Sequence, residues 1–348
     1  MRVAVIIVTY NAQDRINECI DSVKKQTYPK DKFKIFIIEN NSSDNTLAII
    51  KTQYPEIDLT INDYNAGFAK GNNIGIQKAT NENYEYIVLL NDDTVVDSQW
   101  LEKLVAKAET EQKIGSVQSL IFLYSDKRKI NTTGGAMHYL GFGYCNNYLE
   151  DIDQITHFPT EIAYSGGVSV LYKADVLKKI GAFDDLFFMY HEDFDLGWRI
   201  RLAGYKNVLE PESVCYHKYS FSKSIKKYFW MEKNRLIVIF SNYKIATLFL
   251  ILPALILMEI GTFFFSLISG WWKEKLKVYL YFFKLSSWKH ISSRRKSLNS
   301  IRKINDKELL RLFTGKILFQ DISNPILNHI ANPIFNLYFI IIKMVIFW

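Results

Sequence analysis

Apolar and polar positions alternate in blocks along the first third of the chain. Short apolar runs stand at Val3–Val8, Ile35–Ile38, Ile57–Ile61 and Tyr86–Leu90. Between them apolar residues recur at helical spacing, over about 14–25, 43–53, 66–79 and 98–111. The short runs predict buried strands and the longer periodic stretches predict amphipathic helices. Strands alternating with helices predict an α/β domain with a mostly parallel central sheet covered on both faces. Ligands of such sheets bind beyond the carboxyl ends of the strands, so the polar residues that follow each run carry the most information.

From about 114 to 220 the pattern loosens. Gly134-Gly135 and Gly141-Phe142-Gly143 punctuate aromatic runs, and Tyr164-Ser165-Gly166-Gly167 precedes another apolar strand. This stretch is expected to complete the same domain with irregular substrate loops. Beyond 220 the character changes. Ile245–Trp272 contains a single charge, Glu259, together with Pro253; a basic, helix-prone region with Arg294-Arg295-Lys296 follows, and Pro333–Trp348 is apolar apart from Lys343. The expected division is therefore 1–220 and 221–348. Val3–Val8 is shorter than the apolar core of about 7–15 residues in a secretory leader and has no small-residue cleavage site behind it, so it is expected to be a strand.

Composition narrows the classes. At 348 residues, 49% hydrophobic and 23% charged, the chain has enough apolar material for about two domains and is no disordered tract. Three widely spaced cysteines, Cys19, Cys145 and Cys215, exclude a disulfide scaffold or cysteine zinc site and suit a reducing compartment. The net charge of +7 conceals a split. Residues 1–220 hold 23 Lys+Arg against 30 Asp+Glu, and residues 221–348 hold 20 against 6, giving −7 and +14. An acidic first part argues against nucleic acid as the partner.

The strand ends hold the chemistry. The first run ends in Thr9-Tyr10-Asn11 and the second in Glu39-Asn40-Asn41-Ser42-Ser43-Asp44. No G-x-G-x-x-G or G-x-x-x-x-G-K-[ST] motif is present, which removes the dinucleotide and P-loop phosphate cradles. Glu39 is placed to accept hydrogen bonds from a ribose or base, while Ser42, Ser43 or Asp44 could simply cap the next helix. In Asn65–Gly75, Gly67 allows close backbone approach and Lys70 is available to phosphate, though an ordinary helix entry would look the same. The fourth run leads into Asn91-Asp92-Asp93. Adjacent carboxylates suit a hard cation such as Mg²⁺ or Mn²⁺ shared with substrate phosphates; a solvated turn is the alternative. His191–Tyr205 is the densest stretch, with Glu192, Asp193 and Asp195 opening a helix. Asp195 and Arg199 are spaced to pair, which leaves Asp193 as the candidate general base. A helix N-terminus would weaken that base; burial or Glu192 would strengthen it. His217 follows an apolar run, as a core histidine would, and a neutral imidazole there could also ligate a metal.

Val8-Thr9-Tyr10-Asn11, Ile38–Asp44, Asn65-x-Gly67-Phe68, Leu90–Asp93, Gly166-Gly167 and Glu192-Asp193 together resemble glycosyltransferase family 2 in type and order. The resemblance spans about 1–220. It implies a GT-A fold, a nucleotide-diphosphate-sugar donor, a divalent metal and inversion at the anomeric carbon. It implies further that Thr9, Tyr10, Asn11, Glu39, Asn65, Gly67, Lys70, Asp92 and Gly167 line the donor, with Glu39 at uracil or thymine. Asp93 matches the last Asp of the family's D-x-D motif, Asp193 its catalytic base, and His217 a further metal ligand. Asn91 replaces the first Asp, a form that resembles the rhamnosyltransferase-like branch. The Q-x-x-R-W motif of processive synthases is absent, which implies transfer of a single sugar. A sugar-1-phosphate nucleotidyltransferase would need a glycine-rich, basic loop where Thr9–Ala12 stands, and a membrane-surface scaffold would need neither Asp93 nor Asp193.

Ile245–Trp272 is long enough for a bilayer crossing of about 20 residues. Its flanks argue otherwise: Lys223, Lys226, Lys227, Lys233, Arg235 and Lys244 precede it, and residues 273–333 carry 13 Lys+Arg against 4 Asp+Glu. Basic segments on both sides conflict with a single crossing, and Glu259 is costly at a bilayer centre. The expectation is helices lying in the cytoplasmic leaflet, with five of the seven tryptophans beyond 220 at the interface, and a lipid-linked acceptor.

Overall fold

The computed structural model describes residues 1–219, 225–318, 325 and 327–348. The expected boundary at 220/221 and Lys223 lie outside the described residues. Contacts divide the chain into two compact units. The first comprises Met1–Gly135, Cys145–Met189 and Tyr205–Ser220; the second comprises Ala136–Tyr144, Tyr190–Gly204 and Phe221–Trp348.

The first unit is built on one twisted sheet. Its strands are β1 (Val3–Thr9), β2 (Phe33–Glu39), β3 (Asp58–Ile61), β4 (Tyr86–Asn91), β5 (Thr94–Val96), β6 (Ile114–Leu123), β7 (Ile130–Thr132), β8 (Glu161–Ile162), β9 (Ser169–Lys173) and β10 (Lys206–His217). The order is β8-β10-β6-β9-β4-β1-β2-β3, with β5 on β10 and β7 on β6. Helices α1 (Ile16–Lys24), α2 (Thr46–Gln53), α3 (Gly67–Asn81), α4 (Trp100–Glu109) and α5 (Ala174–Ile180) connect the strands. The four helices expected from periodicity coincide with α1 to α4.

The β3-β2-β1-β4 half is parallel, as alternation with helices requires. On the other side β9 is inserted antiparallel between β4 and β6, so the whole sheet is mixed. The buried runs are the core: Val3 to Ile7, Phe36 to Ile38 and Ile87 to Leu89 lose essentially all contact with solvent. One sheet face packs Val5, Ile7, Ile37, Val88 and Leu90 against Ile16, Ile20 and Trp100. Strand register then decides the site, because Thr9 lies beside Glu39, and Val8 beside Asn91. His217 at the end of β10 lies beside Thr94 of β5.

The second unit is mainly helical: α6 (Glu192–Leu202), α7 (Lys227–Asn242), α8 (Ile245–Ile268), α9 (Trp272–Phe282), α10 (Leu285–Ile301) and α11 (Asn332–Val345). Phe313–Thr314 pairs with Met137–His138 in a small sheet. Helix α8 has Pro253 inside it and is followed by Gly270 at φ +78°. Among the described residues it is the one helix long and apolar enough to cross a membrane. Phe249, Ile256, Leu257, Ile260, Phe264 and Ile268 on it are exposed.

Candidate active site

The loops after β1 and β2 bind each other. Asn11 has a left-handed backbone at φ +51°, which brings its N–H onto Ser42 Oγ at 3.0 Å and its Oδ1 under the Ser43 N–H at 2.8 Å. Asn41 is left-handed as well, and the turn folds back on Glu39. The buried Glu39 carboxylate accepts from Asn41 N at 3.1 Å and Ser42 N at 2.6 Å. Thr9 is buried beside it, whereas Tyr10 is exposed. Of the three candidate caps only Asp44 serves α2, accepting from Thr46 N at 2.9 Å; Ser42 and Ser43 hold the β1 loop instead.

Helix α3 begins where Asn65 Oδ1 accepts the Gly67 N–H at 2.9 Å. Gly67 has φ +78°, and a Cβ there would fall 2.5 Å from the Phe188 ring, so no other residue fits. Gly167 is similarly close to Phe68. Lys70 Nζ donates to Tyr64 Oη at 2.6 Å.

Asp92 and Asp93 take different partners. Asp92 is buried and receives Arg15 Nε at 3.0 Å. Burial pushes its pKa above the ordinary carboxylate value, partly offset by the Arg15 guanidinium. Asp93 also suffers from burial, but His217 and Arg15 outweigh it and hold its pKa below the ordinary value. His217 Nδ1 lies 2.9 Å from Asn131 Oδ1, an acceptor, so that nitrogen carries the proton in the neutral ring. Its Nε2 lies 3.2 Å from Asp93 Oδ1, to which it donates when the ring is protonated. With the ring neutral, Nε2 and Asp93 Oδ1 are two lone-pair atoms of the kind a hard divalent cation takes from a protein, with Asn131 fixing the tautomer from behind. Among the described residues no cluster of three or more His, Cys, Asp or Glu forms a complete cage. Asn91 Oδ1, on the strand that delivers these carboxylates, is buried without a hydrogen-bond partner.

Sequence reasoning missed two of these residues. Arg15 is 77 positions from Asp92 and Asn131 is 86 from His217, and no motif spacing links either pair.

Asp193 belongs to the second unit, in the first turn of α6, where its Oδ1 accepts the Phe194 N–H at 2.7 Å. The backbone entering this turn is left-handed at Tyr190 (φ +67°) and His191 (φ +68°). Such residues cost of order 1–3 kcal/mol each and persist only where surroundings impose them. Glu192 is buried, and burial together with the Asp193 charge pushes its pKa well above the ordinary carboxylate value. Asp195 pairs with Arg199 at 2.8 Å, as its i,i+4 spacing predicts, and also with Arg294 and Asn242.

A half-parallel sheet flanked by helices, with polar loops at its strand ends, is the arrangement of the GT-A fold. Solved structures share that fold. GalNAc-T7, crystallised with UDP, GalNAc and Mn²⁺, superposes with a TM-score of 0.56 at 19% identity, over 69% of this chain and 48% of that one. TarS of S. aureus superposes with a TM-score of 0.52 at 17% identity, over 99% and 55%. Residues 4–181 match the glycosyl transferase family 2 model, and the chain belongs to that family. A poly-beta-1,6-N-acetyl-D-glucosamine synthase of Staphylococcus epidermidis is 27% identical over 219 residues, 62% of this chain and 49% of the relative. Glycosyltransferase AglE of Haloferax volcanii is 26% identical over 247 residues, 67% of this chain and 73% of the relative. The chain thus spans about half the length of the synthase it matches.

Proposed function

We propose that this chain is an inverting glycosyltransferase. It moves a single sugar from a UDP- or dTDP-linked donor to a hydroxyl of a lipid-linked glycan at the cytoplasmic membrane surface. The observation that carries the reading is the Asp93 Oδ1–His217 Nε2 pair beyond the strand ends. Asp93 and His217 would hold Mg²⁺ or Mn²⁺, which when bound neutralises the diphosphate as charge develops on the leaving group. The linked loops at Thr9–Asn11 and Glu39–Ser43 orient the nucleoside, Asn65, Gly67 and Gly167 shape the backbone around the sugar, and Lys70 is available to phosphate. Arg15 anchors Asp92 beside Asp93. Asp193 takes the proton from the acceptor hydroxyl as that oxygen attacks the anomeric carbon from the face opposite the diphosphate. The exposed apolar side chains of α8 and the basic tail support a lipid surface, and the acidic first 220 residues speak against nucleic acid.

A panel of UDP-, dTDP- and GDP-sugars with Mg²⁺ or Mn²⁺, scored for donor hydrolysis and thermal stabilisation, tests the donor class. In the responding pair, Asp193→Asn should leave donor binding intact and cut turnover by about 10²–10⁴-fold, the range of a general base. Near-normal turnover in that variant overturns the assignment.

A further inference from the structure

Helix α7 reaches the backbone around the Glu192–Asp193 turn through two adjacent side chains. Asn234 Nδ2 donates to Tyr190 O at 2.7 Å. Arg235 Nη1 donates to Leu140 O at 3.1 Å, and the next carbonyl along, Gly141 O, receives His191 Nε2 at 3.0 Å. Both left-handed residues are therefore held, one by α7 directly and one through the 140–141 loop. That loop lies flat on α7. Gly141 has φ +85°, and a Cβ on it would fall 2.9 Å from both Arg235 Cγ and Ile239, so only glycine allows the approach. The Arg235 guanidinium also stands 4.5 Å from the centre of the Phe142 ring.

Arg235 is itself held on its other edges. It is fully buried, donates to Glu232 from Nε at 3.1 Å and Nη2 at 2.9 Å, and pairs with Glu259 of α8. Lys275 of α9 closes the ring by pairing with both Glu232 and Glu259. A planar fork with donors on three sides can bind two carboxylates and a carbonyl together; a lysine ammonium at the same place has no such geometry.

We propose that Arg235, with Asn234 beside it, is a positioning residue for the Glu192–Asp193 turn. It fixes the Leu140–Gly141 carbonyls, Gly141 fixes His191, and the left-handed entry at Tyr190 and His191 sets where Asp193 leaves the start of α6. The proposal rests on the reading of Asp193 as proton acceptor. It predicts that disturbing a residue of α7 loosens one short turn and slows the chemical step.

The test uses the full chain and compares wild type, Arg235→Lys and Asn234→Ala. Amide hydrogen exchange is followed peptide by peptide, UDP with Mn²⁺ serves as the binding probe, and kcat and KM are measured on the responding donor. Both variants should keep a cooperative thermal transition and bind UDP within about threefold of wild type. Exchange over 189–194 should rise at least tenfold while α10 stays protected, and kcat should fall tenfold or more with donor KM unchanged. If Arg235→Lys fails to fold, Asn234→Ala, which removes the hydrogen bond to Tyr190 O and leaves the charge ring intact, carries the same reading. A folded variant with unchanged exchange over 189–194 overturns the proposal, as does a loss confined to KM. Exchange that rises as expected while wild type uses no donor overturns the functional reading alone, and the hold on the turn stands.

Discussion

In the first unit one half-buried carboxylate faces one buried imidazole, whereas the second unit holds four charges closed into a ring. At the strand ends, Asp93 Oδ1 lies 3.2 Å from His217 Nε2, and Asn131 Oδ1 lies 2.9 Å from the other ring nitrogen. Between α7, α8 and α9, Glu232 and Glu259 are matched by Arg235 and Lys275 with every pair in contact. Two groups that face each other with room for a further partner are what a bound ion or water would complete. A closed ring asks for nothing further and serves as structure. The difference separates an open pair from a closed cluster by how many partners each group has, without reference to any motif.

The largest effect is expected from breaking the balanced cluster. Glu232→Leu leaves Arg235 and Lys275 sharing one carboxylate in a buried place and should cost about 3–5 kcal/mol of stability, read from the urea midpoint at unchanged m. A variant within 1 kcal/mol of wild type would mean that the cluster is not closed as described. A smaller effect is expected at the Asp93–His217 pair. Asn131→Ala frees the His217 tautomer and should weaken Mn²⁺ binding about 10–100-fold in calorimetry with UDP present, while the thermal midpoint barely moves. If instead affinity holds and stability falls, Asn131 is structural and the contrast between the clusters fails.

The last prediction is a slope with pH. Glu192 is a buried acid with no cation paired to it among the described residues, and its pKa is raised in the folded chain, first by burial and then by Asp193. A raised folded pKa contributes stability that is fully present below the unfolded value of about 4.3 and is lost as pH rises towards the folded value. Glu192→Gln does not titrate. Its stability relative to wild type should therefore be greater at pH 8 than at pH 4, and a flat difference in denaturant titrations at the two pH values would show that Glu192 is solvated.

Much of this was readable in the sequence because it is local. The apolar runs that became β1, β2 and β4 are buried on both faces, so they stand out as unbroken blocks, and the polar residues after them had to lie at one sheet edge. The Asp195–Arg199 pair follows from helical spacing. Partners across the fold carry no such signature: Arg15 on Asp92 and Asn131 on His217 are set by strand order and loop path. The same is true of β9. Its apolar pattern marked it as a strand, but its direction depends on where the long 134–167 segment delivers it. The second unit was legible only in its tail, because its members 136–144 and 190–204 are short and sit within the sequence of the first.

The ring around Arg235 also has an order of arrival. Arg235 and Glu232 are synthesised before the apolar helix and Lys275 after it, 16 residues beyond Glu259. At about 5–20 residues per second that gap lasts roughly one to three seconds. During it Glu259 has one of its two cations, and the apolar helix is held by half of its clasp. Once Lys275 emerges, drawing Glu259 into lipid means breaking two ion pairs instead of one. The ion pairs at Glu259 thus link the packing of the apolar helix to a residue made after it.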